Sequence, residues 1–223
     1  MPSKQEKFSD FKTLSNTLEF MSYDSECTFE FRGCWNSQVF LKPQPITLEL
    51  GCGRGEYTLG LALLNPSRNY IGIDLKSNRM WTGAQQATQL KLPQVRFLRS
   101  RIDYIDRIFS SPEVDELWIP FPDPQPQKTR SRKRLTHPLF LEKYKRILSP
   151  GARLHLKTDS AFLYHYTLEV LHSHGHTVCC HTPDIALNPL PEQPALTTIK
   201  TYYEQLFQKK GATITYIQFQ LRH

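Results

Sequence analysis

The stretch Trp118–Leu135, WIPFPDPQPQKTRSRKRL, carries the residue types best suited to chemistry on a polyanion. An apolar run ends in one carboxylate, Asp123, held between Pro122 and Pro124. Each proline ring locks its own φ at about −65°, which fixes where the carboxylate points. Five cations then fall within seven residues: Lys128, Arg130, Arg132, Lys133 and Arg134. A rigid acid at a strand end can face charge that develops on a reacting group. A basic loop beside it suits the phosphates of a nucleic acid; the plain alternative for that loop is a solvated, flexible segment.

A second group lies upstream. Glu49 sits in the apolar run Ile46–Leu50, Gly51, Gly53 and Gly55 follow at alternate positions, and Asp74 closes the next apolar run. Glycines there allow positive φ and let the backbone approach a ligand with no Cβ in the way. An acid about 20 residues beyond such a loop suits ribose hydroxyls, and Glu49 adds negative charge for a cationic ligand. A dinucleotide site would want G-x-G-x-x-G, but the sixth position is Glu56, and no G-K-[ST] follows to make a P-loop. Asp159, after the run Arg153–Lys157, is a further acid at a strand end.

Alternating elements are needed to bring these groups together. Strands are expected at Ile46–Leu50, Asn69–Ile73, Val95–Leu98, Val114–Ile119, Arg153–Lys157 and Ile214–Leu221. Helices are expected over Tyr57–Leu64, from Ser77 as N-cap to Leu90, over His137–Leu148, Ala161–His172 and Tyr202–Gln208. That order makes an α/β chain with a mostly parallel sheet, in which ligands bind beyond the carboxyl ends of the strands. Residues 1–44 are aromatic-rich but unpatterned and read as an arm or subdomain packing on a core formed by 45–223.

Composition bounds the partners. A net charge of +7 and a pI of about 9.2 favour an anionic partner, nucleic acid before membrane. Five cysteines with no C-x-x-C pair argue against a disulfide framework and suit a reducing, cytoplasmic setting. The N-terminal MPSKQEKFSDFKTL has no apolar core of a signal peptide, and no run approaches the ~18 apolar residues that span a bilayer. His172, His174, His176, Cys179, Cys180 and His181 show neither H-x₃-H nor C-x₂-C spacing, so no metal site is expected. Cys52 has no identifiable partner base for a nucleophilic role.

Glu49-x-Gly51-x-Gly53-x-Gly55 followed by Gly72-Ile73-Asp74 resembles the cofactor site of class I S-adenosylmethionine-dependent methyltransferases. The later half narrows this. FPDPQPQKTRSRKRLTHPLFLEKYKRIL, then LHLKTD, then TYYE before an apolar helix resembles the bacterial tRNA (guanine-N7)-methyltransferase family. The resemblance runs from about residue 46 to the C-terminus. It implies a Rossmann-like fold, a mostly parallel sheet flanked by helices with an antiparallel C-terminal strand. It implies methyl transfer from S-adenosylmethionine to N7 of a guanosine in the tRNA variable loop. The rivals are a small-molecule methyltransferase of the same fold and a non-catalytic RNA-binding protein. Cofactor contacts are implied at Glu49, Gly51, Gly53, Asp74, Arg101 and Asp123. Substrate contacts are implied at Gln127, Lys128, Asp159, Thr201 and Glu204, with RNA along Arg130, Arg132, Lys133 and Arg134. The chain departs from the family pattern in three places: Arg101 replaces an Asp or Asn, with Asp103 as the nearby acid; Gln125 replaces a tryptophan; Gln127 replaces a lysine, with Lys128 adjacent.

Asp123 is assigned the catalytic role, because a fixed carboxylate beside the purine favours the positive charge that arrives with the methyl group. Local readings compete elsewhere. Asp159 before a helix could be a plain N-cap, and Thr201 with Glu204 has capping-box spacing. The choice between monomer and homodimer stays open.

Overall fold

The computed structural model describes residues 2–209 and 211–222. The chain opens with α1 (Lys4–Phe11), β1 (Thr17–Phe20) and a π-helical turn at Trp35–Val39. It continues through β2 (Ile46–Leu50), α2 (Glu56–Leu64), β3 (Asn69–Asp74), α3 (Ser77–Gln89), β4 (Val95–Ser100), α4 (Ile105–Ile108) and β5 (Val114–Pro120). After a 3₁₀ turn at Lys128–Lys133 come α5 (Pro138–Lys145), β6 (Leu148–Thr158), α6 (Ala161–Ser173), β7 (Thr177–Thr182), α7 (Ala195–Thr198), α8 (Tyr202–Lys209) and β8 (Thr215–Gln220). Among the described residues no helix is long and apolar enough to cross a membrane.

The eight strands form one sheet in the order β1-β4-β3-β2-β5-β6-β8-β7. All pairings are parallel except those of β8, which runs antiparallel to β6 and β7. Every residue of β2 is buried, as expected where helices cover both faces of a parallel sheet. From β2 the chain builds outward through β3 and β4, then returns to place β5 on the other side of β2. The reversal falls between β2 and β5, so the crevice at their carboxyl ends is the switch point where such sheets bind ligands. Glu49 lies opposite Trp118 across that pair.

Three local expectations are corrected. Ser77 is the first residue of α3, with its hydroxyl buried and unpartnered among the described residues, and Lys76 occupies the cap position. The helix read to Leu148 ends at Lys145, because Ile147 and Leu148 turn into the core and β6 begins there. Strand β6 therefore carries Ser149-Pro150-Gly151 within it, with a register shift against β5 between Val114 and Glu116.

Residues before 45 join the same sheet and core. β1 pairs with β4, and Phe29, Trp35 and Phe40 are buried in the cluster that holds β2 and β5. Trp35 stacks on Phe109 with ring centroids 5.0 Å apart and donates from Nε1 to the Ile108 carbonyl.

Candidate active site

Of the three glycines at positive φ after β2, two shape the open part of the loop, Gly51 at 72° and Gly53 at 56°. A Cβ added at either would meet nothing within 4 Å, so both face open space. Asp74 Oδ2 accepts from Gly53 N at 2.9 Å and Oδ1 from Lys76 N at 2.9 Å, which fixes the carboxylate beside the loop. Each oxygen keeps a lone pair for a further donor such as a ribose hydroxyl. Glu49 is 3% exposed and its Oε2 accepts from the Thr58 amide at 2.7 Å and from the Thr58 hydroxyl. Burial pushes its pKa up to about 8; the Thr58 hydrogen bonds oppose this, and the charges of Glu56 and Asp74 add to it. A cation placed beside it would favour the ionised carboxylate and draw that value back down. An open glycine cradle between two acids fits the sulfonium, ammonium and ribose of S-adenosylmethionine. Cys52 is buried in the same loop and its thiol is pushed up by burial, which makes it a poor nucleophile.

Arg101 follows β4 and is exposed; its guanidinium pairs with Asp103 at 3.3 Å and lies 5.6 Å from the Tyr104 ring. Asp103, the nearby acid, is thus tied to the arginine.

Asp123 occupies the turn after β5, the neighbour of the strand that ends in the glycine loop. Its Oδ1 accepts from Gln125 N at 3.0 Å. Two non-glycine residues flank it at positive φ, Phe121 at 49° and Gln125 at 44°. Strained backbone of this kind persists where the surroundings over-determine it, and it clusters at functional sites. The Phe121 amide donates to the Lys157 carbonyl at 2.7 Å, which anchors the turn to β6.

The basic loop divides in two. Gln127, Lys128, Arg130, Arg132 and Lys133 are exposed. Arg134 is 5% exposed, donates from Nε to the Gln125 carbonyl at 3.1 Å, and lies over the rings of Phe162 (4.8 Å) and Tyr166 (4.3 Å). The expected RNA contact by Arg134 gives way to an internal role, in which the side chain fastens the Asp123 turn to α6.

Asp159 follows β6, beside β5 in the sheet. The cap of α6 is Ser160, whose Oγ accepts from Leu163 N at 3.2 Å. Asp159 is thereby released from capping, and among the described residues its carboxylate takes no hydrogen bond. Thr201 does cap α8, accepting from Glu204 N at 3.0 Å. The return half of the capping box is absent, because the Glu204 carboxylate bonds Lys157 instead. Sequence reasoning missed Lys157; its one local signal is a lysine alternating with buried leucines in a strand. It also missed a contact between the two halves of the site. Tyr202 N donates to Glu56 Oε1 at 3.4 Å, and the Arg54 guanidinium lies 5.0 Å from the Tyr202 ring, so α8 begins against the glycine loop.

The histidine and cysteine segment forms β7 and its approach. His181 bonds the Tyr164 hydroxyl and His176 accepts from Arg222 N. No group of three His, Cys, Asp or Glu among the described residues is placed to hold a metal ion.

Residues 43–217 match a family model described as "Putative methyltransferase". The chain is 40% identical over 221 residues to a tRNA (guanine-N(7)-)-methyltransferase of Christiangramia forsetii, covering 99% of this chain and 98% of the relative. It is 47% identical over 196 residues to one from Porphyromonas gingivalis, covering 88% and 79%. Among solved structures, the 16S rRNA methyltransferase KamB matches with a TM-score of 0.60 at 16% identity, over 81% of this chain and 89% of that one. At that identity the likeness is one of fold, the class I methyltransferase fold. Agreement with the curated relatives across nearly the whole length is stronger, and on it the chain belongs to the tRNA (guanine-N(7)-)-methyltransferase family.

Proposed function

We propose that this protein transfers a methyl group from S-adenosylmethionine to N7 of a guanosine in the variable loop of tRNA. The observation that carries the reading is the meeting of three strand tips. β2 brings an open glycine cradle beside Glu49 and Asp74, β5 brings Asp123, and β6 brings Asp159, unpartnered among the described residues. When bound, S-adenosylmethionine supplies an electrophilic methyl group on a sulfonium centre. Glu49, Gly51, Gly53 and Asp74 would hold it, with Asp103 and Arg101 at the far corner.

Guanine N7 carries an in-plane lone pair, so no residue has to remove a proton and no step calls for a metal. What the protein must supply is alignment, which can contribute up to ~7–11 kcal/mol. Positive charge develops on the purine as N7 is methylated, and the rigid Asp123 carboxylate stabilises it. Asp123 and Asp159 are acceptors for the guanine N1–H and N2–H₂ donors. Gln127, Lys128, Arg130, Arg132 and Lys133 lie where the RNA backbone would run. Five free cysteines suit work in a reducing cytoplasm.

The test is incubation of purified protein with unmodified bulk tRNA and cofactor, followed by nucleoside mass spectrometry. Appearance of 7-methylguanosine, mapped by chain cleavage to the variable loop, is the expected result. Methylation of small molecules without RNA, or cofactor binding with no methyl transfer to tRNA, would overturn it.

A further inference from the structure

Lys157 is a fully buried cation in the carboxyl half of β6. Its Nζ has three N–H donors, and three acceptors meet them at 2.8 Å each: Glu204 Oε1, Glu204 Oε2 and the Leu196 carbonyl. The rings of Tyr57 and Phe121 lie 5.4 and 5.8 Å from Nζ. Glu204 is itself 2% exposed, and both of its carboxylate oxygens are engaged by Lys157.

The contacts of this one residue join α2, the turn after β5, α7 and α8. The Lys157 carbonyl holds Phe121, the residue whose positive φ opens the Asp123 turn. Its side chain holds Glu204 in the first turn of α8 and Leu196 in α7. Tyr57, over its ammonium, adjoins the Thr58 that binds Glu49. Asp159 lies two residues further along the chain. Apolar residues of similar volume are often at least as stabilising as a buried ion pair, so stability alone does not explain one here.

We propose that Lys157 is a positioning residue for methyl transfer and acts as a single unit with Glu204, whose carboxylate serves Lys157 rather than the guanine. The inference rests on the tRNA methyltransferase reading above. The unit fixes α8 and the Asp123 turn in one register, so that the purine held between them meets the methyl group in line.

The experiment measures kcat, KM for tRNA, cofactor affinity and melting temperature for wild type, Lys157→Met, Glu204→Gln and the double variant Lys157→Met/Glu204→Gln. Each single change leaves a buried group without its partner, and the double variant carries neither charge. Its melting temperature should therefore exceed that of Lys157→Met. A misplacement of about 1 Å can lower a rate about 100-fold, so each single variant should lose about 10- to 100-fold in kcat. The double variant should lose no more than either single one. The tRNA KM and cofactor affinity should stay within about threefold of wild type, since neither side chain touches tRNA or cofactor. Losses that multiply in the double variant, or a raised KM confined to changes at Glu204, would show direct contact with guanine and overturn the proposal. Wild-type kcat in the double variant would reduce the pair to a structural role and overturn it too. If Lys157→Met does not fold, Glu204→Gln against the double variant decides: equal kcat supports the unit and a further drop refutes it. A wild-type protein that methylates no tRNA in the same assay would instead sink the underlying functional reading.

Discussion

Asp123 is held by a turn whose two flanking residues sit at positive φ, and among the described residues its side chain accepts one hydrogen bond, from the Gln125 amide. Asp123→Asn keeps the shape and the acceptor but removes the charge. It should lower kcat by about 100-fold, the scale on which a single oriented electrostatic partner acts, with tRNA affinity and melting temperature nearly unchanged. Near-normal turnover in that variant would take Asp123 out of the reaction. Glu49 makes a prediction about pH. Its ordinary value is 4.5 and burial raises it to about 8 in the folded protein. The native state therefore keeps a proton that the unfolded chain has lost between those values. Its contribution to stability is complete below about pH 4.5 and fades as pH rises to about 8. A cation in the cradle reverses the preference, so cofactor binding should release a proton and tighten with pH until about 8. Calorimetry in buffers of different ionisation enthalpy should detect the proton, and Glu49→Gln should abolish both the release and the slope of stability.

At the level of elements, the loop after β5 separates a surface function from an internal one. Replacing Lys128, Arg130 and Lys133 with glutamine should flatten the dependence of log affinity on log salt by about 0.7–0.9 for each phosphate no longer neutralised. Arg134→Ala should leave that slope nearly intact and lower kcat, because the arginine holds Gln125 and stacks on α6. Equal slopes for wild type and the triple variant would remove the loop from RNA binding. This division is not legible in the sequence. Five cations in a run look alike until Phe162 and Tyr166 arrive from a helix further along the chain. What is legible depends on local chemistry: the glycine loop, the acids closing strands, and the period of the parallel core strands. What is not legible depends on distant partners. Lys157 and Glu204 are 47 residues apart, and the spacing of Thr201 and Glu204 suggests a local cap because only the fold brings the lysine near. Asp159 looks like a cap for the same reason, although the adjacent Ser160 takes that duty.

The described residues form one sheet with two buried apolar clusters, and the segment before residue 45 contributes to both, Phe29, Trp35 and Phe40 to one and Phe11 to the other. In sequence those residues look separable because their aromatic side chains follow no period, yet their partners are spread along the chain. Trp35 is fully buried, stacks on Phe109 between α4 and β5, and gives its indole N–H to Ile108 in α4. β1 closes one edge of the sheet against β4, while α1 meets α3 through the Asp10 carboxylate, which accepts from the Trp81 indole and from Gln85. An appendage would unfold by itself and leave the catalytic half standing; a shared core unfolds with it. Trp35→Ala removes a large buried ring, a change that typically costs about 3–5 kcal/mol. It should lower the denaturant midpoint in a single transition, seen together by circular dichroism and by loss of cofactor binding, with the slope m unchanged. An early transition that spares cofactor binding would make residues 1–44 an independent unit after all.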